Sequence, residues 1–507
     1  MSDNAQACVK NVFTDSNKVN DLFKEGLAHA EHSRWREASE SYRKVLESQP
    51  DYPEAHFKLG VAMSELGQVD EAIREYMHEL SMNPSNVKAL NNLGVIYNEL
   101  GEHDKAILYL QKAIEIDPQK VNAHINLAHA HKGVEKYDTA TECLQMAVNI
   151  DPQNADNQCL LGISFWRLGK FEESIPVFQK AITISPGCHH TYWHLAYALR
   201  IIDRPKDALE AINKALEFEP EDTNYLDELG SIQAHMELYE EAKATFERIV
   251  SINPENADAH DSLAIVLNRK GNVEQACAMA EKATRLDPTN DEYHTRYGWI
   301  LLNIGRYEDA LKVFSAATDI NPQNEEAYHG LGYAFGENGY HKKAVHAFRK
   351  AVLTDPECTL AQIDLGVALE FTGKIDDAIK AYKRAIQTKP DDIHAHFHLA
   401  MLYDRIGCPQ NAREVFQKIT EIPPQDGEDR FHVAYAYSEL EQYQEAIETY
   451  RRLIEDEPDC TTAYFNMALC YLDAGDRKTA IDISQTLNFI DGAMARELHV
   501  VIGWPTQ

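Results

Sequence analysis

The sequence predicts an all-α fold in which short helices stack in a tandem array, and three observations support this prediction. A 34-residue unit recurs in which one position is Gly or Ala in all fourteen copies and another is Ala in thirteen. Each unit carries two apolar stripes at the spacing of an α-helix. Thirteen of the 19 prolines fall on one register of 34 residues without an insertion: Pro50, Pro84, Pro118, Pro152, Pro186, Pro220, Pro254, Pro288, Pro322, Pro356, Pro390, Pro424 and Pro458.

Each unit is predicted to be a helix-turn-helix. With the proline at position 32, the units begin at Val19, Pro53, Val87 and so on to Thr461, the last without its proline. The first helix carries its stripe at positions 4, 7, 8 and 11, and the second at 20, 24, 27 and 28. Small residues at 8 and 20 let the helices approach closely, and a frequent aromatic at 24 fills the space beside them. Gly at position 15 suits the end of the first helix, and the proline at position 32 stops the second helix. Stacking of each repeat against its neighbours covers both apolar stripes.

This pattern resembles the tetratricopeptide repeat (TPR) family over about residues 19–494. The resemblance implies a right-handed α-solenoid, a superhelix whose first helices line the concave wall, and protein binding as the class of function. We expect a flexible polar segment at 1–18, about fourteen repeats at 19–494 and a C-terminal cap and tail at 495–507. A capping helix is expected around Asp491–Val501, with Trp504 packing at its end.

The composition excludes several other classes of function. The 49 basic and 81 acidic residues give a net charge of −32, which argues against general binding to nucleic acid or anionic lipid. No apolar run approaches the length of about 20 residues that spans a bilayer. The N-terminus lacks the apolar core of a signal peptide, and none of the nine Cys forms a CxxC pair. We therefore expect a cytoplasmic protein without direct membrane insertion.

Enzyme motifs are absent from the sequence. It contains no phosphate-binding GxxxxGK[ST], no HExxH and no GxSxG, and the repeats leave no insertion that could hold a catalytic domain. We therefore expect no catalytic residues, no cofactor and no enzyme activity. The Lys and Asn pattern with which some TPR co-chaperones hold a C-terminal carboxylate is also missing from any three successive repeats.

Candidate partner-binding residues lie on what we call the groove face, positions 2, 5, 6, 9, 12 and 13 of each first helix. Large aromatics and Arg concentrate there, and these residue types dominate binding hot spots. The alternative is that the same side chains pack against adjacent first helices. The candidates are Trp166, Arg167, Trp193, His194, Tyr197, Arg200, Arg269, Arg296, Trp299, His329, Tyr333, Phe397, His398, Phe431, His432 and Tyr435.

Histidine allows one further prediction. His at position 4, as in His56 and His124, is interpreted as core packing. His394 and His398 lie four residues apart on the groove face, a spacing that can chelate zinc or nickel, so they are a candidate metal pair. A polar wall without metal is the alternative and the interpretation that we favour.

Repeat 5 departs from the pattern. Pro176 stands inside its second helix, and Ser174 replaces the Ala of position 20. Interior proline removes a hydrogen bond and clashes with the preceding turn, so we expect a kink beside Trp166 and Trp193. Neutral drift is the alternative.

The sequence therefore predicts a non-enzymatic scaffold or adaptor that binds a protein or peptide segment on the groove face. Acidic clusters at inter-repeat turns, such as Glu455–Asp459, are interpreted as a solvated rim that also suits a basic partner. Two alternatives remain open: a structural protein that assembles into homo-oligomers, and an obligate regulatory subunit of a multiprotein complex.

Overall fold

The computed structural model describes residues 18–503, and its contacts divide the chain into one unit that ends at Ile252 and another that begins at Asn253. The helices of the first unit are α1 (residues 18–31), α2 (Trp35–Ser48), α3 (Ala55–Glu65), α4 (Val69–Met82), α5 (Val87–Glu99), α6 (His103–Ile116), α7 (Val121–Gly133), α8 (Tyr137–Ile150), α9 (Ala155–Arg167), α10 (Phe171–Ile184), α11 (His189–Ile201), α12 (Pro205–Phe218), α13 (Thr223–His235) and α14 (Tyr239–Ile252).

The helices of the second unit are α15 (Ala257–Arg269), α16 (Val273–Leu286), α17 (Asp291–Asn303), α18 (Tyr307–Ile320), α19 (Glu325–Glu337), α20 (His341–Thr354), α21 (Thr359–Phe371), α22 (Ile375–Thr388), α23 (Ile393–Arg405), α24 (Pro409–Glu421), α25 (Gly427–Glu439), α26 (Tyr443–Asp456), α27 (Thr461–Asp473), α28 (Arg477–Ile490) and α29 (Gly492–Ile502). No strand occurs between residues 18 and 503, and the predicted all-α fold of tandem helix pairs is confirmed. Residues 1–17 of the predicted flexible segment at 1–18 lie outside the described residues, and so does the predicted packing of Trp504.

Odd-numbered helices from α1 to α27 are the first helices of the fourteen repeats, and even-numbered helices are the second. Each first helix packs on the second helix of its own repeat, and each second helix packs on the next first helix within its unit. Helix α1 already includes Lys18, one residue before the predicted start of the array. None of the helices described here has both the length and the apolar character needed to cross a bilayer.

The turn inside every repeat contains a left-handed residue at position 15. Nine repeats have Gly there, with φ between 70° and 87°. The other five place a non-glycine residue in the same conformation: Ser33, Glu135, Asp203, Glu237 and Glu441. Because a Cβ atom costs roughly 1–2 kcal/mol in this region, these five turns are strained relative to the glycine turns.

Glu237→Gly is therefore expected to raise the free energy of unfolding by about 1 kcal/mol, since glycine adopts the left-handed conformation without a steric cost. Hydrogen exchange of α13 and α14, read by mass spectrometry, measures the change, because stability in a repeat array is largely local. The control is Ala244→Gly, an exposed position inside α14, which is expected to lower stability by about 1 kcal/mol. Equal destabilisation by both substitutions would contradict this account of the turn.

The pairing of positions 8 and 24 holds each repeat together. A Cβ atom added to Gly298 would lie 2.6 Å from the ring of Phe314, and one added to Gly162 would lie 2.4 Å from the ring of Phe178. Phe178 and Phe314 are completely buried. The glycine therefore gives the aromatic ring the room that the sequence pattern predicted.

Position 4 contributes a hydrogen bond in addition to packing. The Nε2 group of His124 donates to the carbonyl oxygen of Pro118 at 2.9 Å, and His56, His260 and His294 repeat this contact with the proline six residues earlier. Gln158 and Gln362 replace the imidazole with a side-chain amide that donates in the same way. These six side chains tie their first helices to the connections that precede them.

Both irregular features of the sequence are accommodated in helices. Helix α10 runs without a break through Pro176, and its length of 14 residues equals that of α8 and α12. Ser174 is fully buried and donates its hydroxyl to the carbonyl oxygen of Phe171 at 2.7 Å. The predicted C-terminal helix is present as α29, with Asp491 as its N-cap, and it buries Leu498 and Ile502.

Candidate functional site

The candidate site is built where first helices of adjacent repeats meet. Within each unit, first helices contact each other as well as the second helices, as α5 and α7 do and as α17 and α19 do. The side chain at position 5 of one repeat meets the one at position 6 of the next, 35 residues later. We call these contacts the inter-repeat ladder: Asn91–Asn126 at 2.9 Å, Asp261–Arg296 at 2.7 Å, His329–Asp364 at 2.6 Å, and the stacked rings of Phe397 and His432 with centroids 4.0 Å apart.

Four rings on α9 and α11 form a cluster in the first unit, and we call it the α9–α11 cluster: Trp166, Trp193, His194 and Tyr197. The Trp166 centroid lies 5.2 Å from that of Tyr197 and 5.6 Å from that of His194, both edge-on. Trp193 lies 4.7 Å from His194. All four side chains are half-buried, so the rings orient each other while part of their surface remains accessible.

Charges beside this cluster are neutralised locally. The guanidinium of Arg200 lies 4.9 Å from the centre of the Tyr197 ring and donates two hydrogen bonds to Glu228, at 2.7 and 3.1 Å. Burial raises the pKa of Glu228, and Arg200 opposes this shift. Burial also lowers the pKa of His194 to about 4, which leaves the imidazole neutral at physiological pH. The cluster therefore offers an apolar surface whose neighbouring charge is the exposed Arg167.

The second unit has an aromatic cluster on α17 and α19. The Trp299 centroid lies 5.7 Å from His329 and 6.4 Å from Tyr333. Tyr333 also borders a cavity of about 180 Å³ with Glu337, Asp364 and other side chains of α19 to α21. The Tyr333 side chain is more than a third exposed. This cluster thus combines a half-buried tryptophan with an open pocket.

A second pocket of about 550 Å³ lies beside the first one. Glu370, Phe371, His398, Met401 and Arg405 line it, and Arg405 forms an ion pair with Glu370. Phe371 borders both pockets and is 68% exposed, which is unusual for so large an apolar ring. Sequence reasoning missed Phe371, although its place at position 13 of the groove face could have revealed it.

The tryptophans share an unpaired donor. The indole N–H groups of Trp166, Trp193 and Trp299 are buried and have no hydrogen-bond partner among residues 18–503. A buried donor without an acceptor costs roughly 1–3 kcal/mol, so an acceptor that reaches it gains that much. These three side chains therefore combine a large, partly accessible apolar area with a donor that a partner can reach only if the ring turns outward.

The predicted groove residues fall into three groups by burial. Arg167, Arg269 and Tyr333 are exposed. His329 and His432 are buried within the inter-repeat ladder. For these two residues the structure agrees with the alternative that they pack against adjacent first helices. The half-buried residues are Trp166, Trp193, His194, Tyr197, Arg200, Arg296, Trp299, Phe397, His398, Phe431 and Tyr435. Contact of these residues with a partner stays a prediction.

Sequence reasoning also missed the acidic partners of the groove cations. It named Arg200 and Arg296 but not Glu228 and Asp261, which bind them. The signal was present as opposite charges on adjacent first helices, 28 and 35 residues apart.

The two histidines of the predicted metal pair lie in different surroundings. The ring of His398 stacks on Tyr382, whereas His394 faces Glu428 and Asp429 on α25.

Family models of the tetratricopeptide repeat match almost the whole array. They cover residues 23–80, 87–120, 125–189, 159–225, 234–295, 279–312, 325–358, 393–426 and 434–484, and a TPR repeat model covers 298–339 and 372–407. The chain belongs to the tetratricopeptide repeat family. Its repeats form a scaffold of the general class that mediates protein–protein interactions.

Solved structures of other TPR proteins resemble this one. A chain from the crystal structure of the APC/C hetero-tetramer Cut9–Hcn1 aligns over 96% of this chain and 96% of its own, with 16% sequence identity and a TM-score of 0.39. Yeast Tom70 aligns over 87% of this chain and 99% of its own, with 15% sequence identity and a TM-score of 0.42. YrrB, described as a TPR protein with an unusual peptide-binding site, aligns over 36% of this chain and 95% of its own at 27% identity and 0.30. A search of the curated proteins found no match.

Proposed function

We propose that this TPR protein is a non-enzymatic adaptor that binds an extended or helical segment of another protein on its groove face. The observation that carries the proposal is the trio of half-buried tryptophans whose indole N–H groups lack a partner. A peptide supplies the complement, since its side chains cover the accessible parts of the rings, and its backbone carbonyl oxygens accept from an indole only after that ring turns outward. The chain acts in the cytoplasm, in the assembly of a multiprotein complex.

Charge supports a partner that is apolar where it touches the clusters and basic around them. Arg200 and Arg296 are already paired with buried carboxylates, so they add little net positive charge to the groove face. The chain as a whole carries a net charge of −32. A basic segment would therefore be attracted at long range and then held by aromatic contacts at short range.

Comparative capture from the native lysate tests the proposal. The baits are the intact chain, a Trp193→Ala/Trp299→Ala variant, and a control Phe218→Ala/Tyr340→Ala variant whose rings are exposed outside the first helices. Circular dichroism first verifies equal helix content. A protein retained by the intact chain and the control but lost by the tryptophan variant supports the proposal, and equal capture by all three baits contradicts it.

Self-assembly is a second candidate because of one specific observation. The last two helices expose Phe489, Val500 and Val501, whose side chains are 90%, 73% and 52% accessible. Apolar side chains with this exposure are suited to contact with another copy of the chain. A concentration-dependent increase in mass by light scattering, abolished by Val500→Glu, would support this function, and a monomer at all concentrations would contradict it.

A further inference from the structure

Two adjacent repeats bring two imidazoles and a carboxylate together on the groove face. His394 lies at position 2 on α23, and Glu428 and His432 lie one turn apart at positions 2 and 6 on α25. One nitrogen or oxygen of each of these three side chains lies within 4.8 Å of those of the other two. This arrangement is separate from the tryptophan clusters that carry the proposed function.

His432 has the properties of a ready ligand. It is 8% exposed, and its Nδ1 atom is buried without a hydrogen-bond partner among the described residues. The ring of Phe397 stacks on it with centroids 4.0 Å apart, which holds the imidazole in place.

A carboxylate also lies beside His394. The Nε2 atom of His394 lies 3.6 Å from Oδ1 of Asp429, whose other oxygen accepts the backbone N–H of Gln425 at 3.0 Å. The opposite nitrogen, Nδ1, lies 3.7 Å from Oε1 of Glu428. Imidazoles that bind metals commonly give their second N–H to a carboxylate. Nε2 of His394 lies just beyond hydrogen-bond distance of Asp429, and its Nδ1 atom faces Glu428.

We propose that His394, Glu428 and His432 bind a divalent transition-metal ion, with zinc as the preferred ion and water as the fourth ligand. Two imidazoles and one carboxylate are a ligand set that zinc accepts in tetrahedral geometry. Bonds of about 2.1 Å place such ligands about 3.4 Å apart. The three side chains must therefore close by about an ångström, and the exposed Glu428 and half-buried His394 have room to rotate.

The structure thus pairs His394 with His432 on the next repeat and not with His398 on its own helix. His398 stacks on the buried ring of Tyr382, with centroids 5.6 Å apart. The two assignments predict opposite results for the same substitutions, so they can be separated by experiment.

Zinc binding to the full chain without an affinity tag tests the site. Isothermal titration with zinc chloride is expected to show one site per chain, weakened at least 10-fold in His432→Phe and in His394→Gln, and changed by less than about 2-fold in the control His398→Gln. Phenylalanine at 432 retains a ring against Phe397. Cobalt(II) provides a second readout, since a tetrahedral site gives intense visible absorption.

Three outcomes would overturn the site. One is a wild-type titration that matches the His394→Gln/His432→Phe double variant, which would mean that zinc binds only adventitiously to surface histidines and carboxylates. Another is a loss of zinc in His398→Gln with retention in His432→Phe, which would assign the pair on α23 instead. The third is cobalt absorption that is unchanged by the double variant. Circular dichroism of each variant establishes that the helices are retained.

Discussion

Replacing Phe314 by alanine is expected to lower the free energy of local opening of α17 and α18 by about 4 kcal/mol. The ring is completely buried and lies against Gly298 and Gly330, where an added Cβ would come within 2.6 and 2.3 Å of it. It also contacts Trp299 edge-on, with centroids 5.6 Å apart. Its removal leaves a cavity that backbone on two sides cannot fill.

Hydrogen exchange read by mass spectrometry measures this loss helix by helix, because stability in a repeat array is largely local. Faster exchange is expected in α17 and α18, with unchanged exchange in α26 as an internal control. Adding Gly298→Leu to Phe314→Ala returns much of the lost volume, so the double variant should be more stable than the sum of the two single effects. Strict additivity would show that positions 8 and 24 do not pack as a pair.

Trp193→Ala and Trp299→Ala together are expected to weaken binding of the captured partner more than 100-fold. Truncation of a central aromatic anchor commonly costs about 2–4 kcal/mol, and each substitution also removes an indole donor. Isothermal titration with the partner protein measures the change, and Phe218→Ala/Tyr340→Ala is the matched control. Each single variant shows how the two clusters share the affinity.

A reduction of less than about 3-fold in the double variant would place the binding energy elsewhere, on the rim or at the array ends. Trp166→Phe separates the two contributions of a tryptophan, since it keeps an apolar ring and removes the donor. If the indole N–H groups bind the partner, this conservative substitution also weakens affinity. If only apolar area matters, it is nearly silent.

Most of the fold could be predicted from sequence because the determinants are local and repeated. The proline register, the small residues and Gly at position 15 each act within one repeat, so fourteen copies reveal them by comparison. The left-handed turns at Glu135 and Glu237 were not predicted, because glutamate gives no local signal for this conformation and the two helices packed on either side of the turn impose it.

Contacts between repeats were harder to predict. The groove face was read one helix at a time, which found Arg296 but not Asp261, and found His394 and His432 but not Glu428 beside them. Pairing positions 5 and 6 requires the stagger between adjacent first helices, and that stagger follows from how the second helices pack. The inter-repeat ladder therefore became evident only in three dimensions.

Site-specific photo-crosslinking tests the central claim most directly. The photoreactive amino acid p-benzoylphenylalanine is placed at Tyr197 or Tyr333 on the groove face, or at Leu353, which is 74% exposed on the second helix α20. Binding on the groove face predicts crosslinks to the partner from positions 197 and 333 and none from 353. Crosslinks from 353 alone would contradict the proposed site.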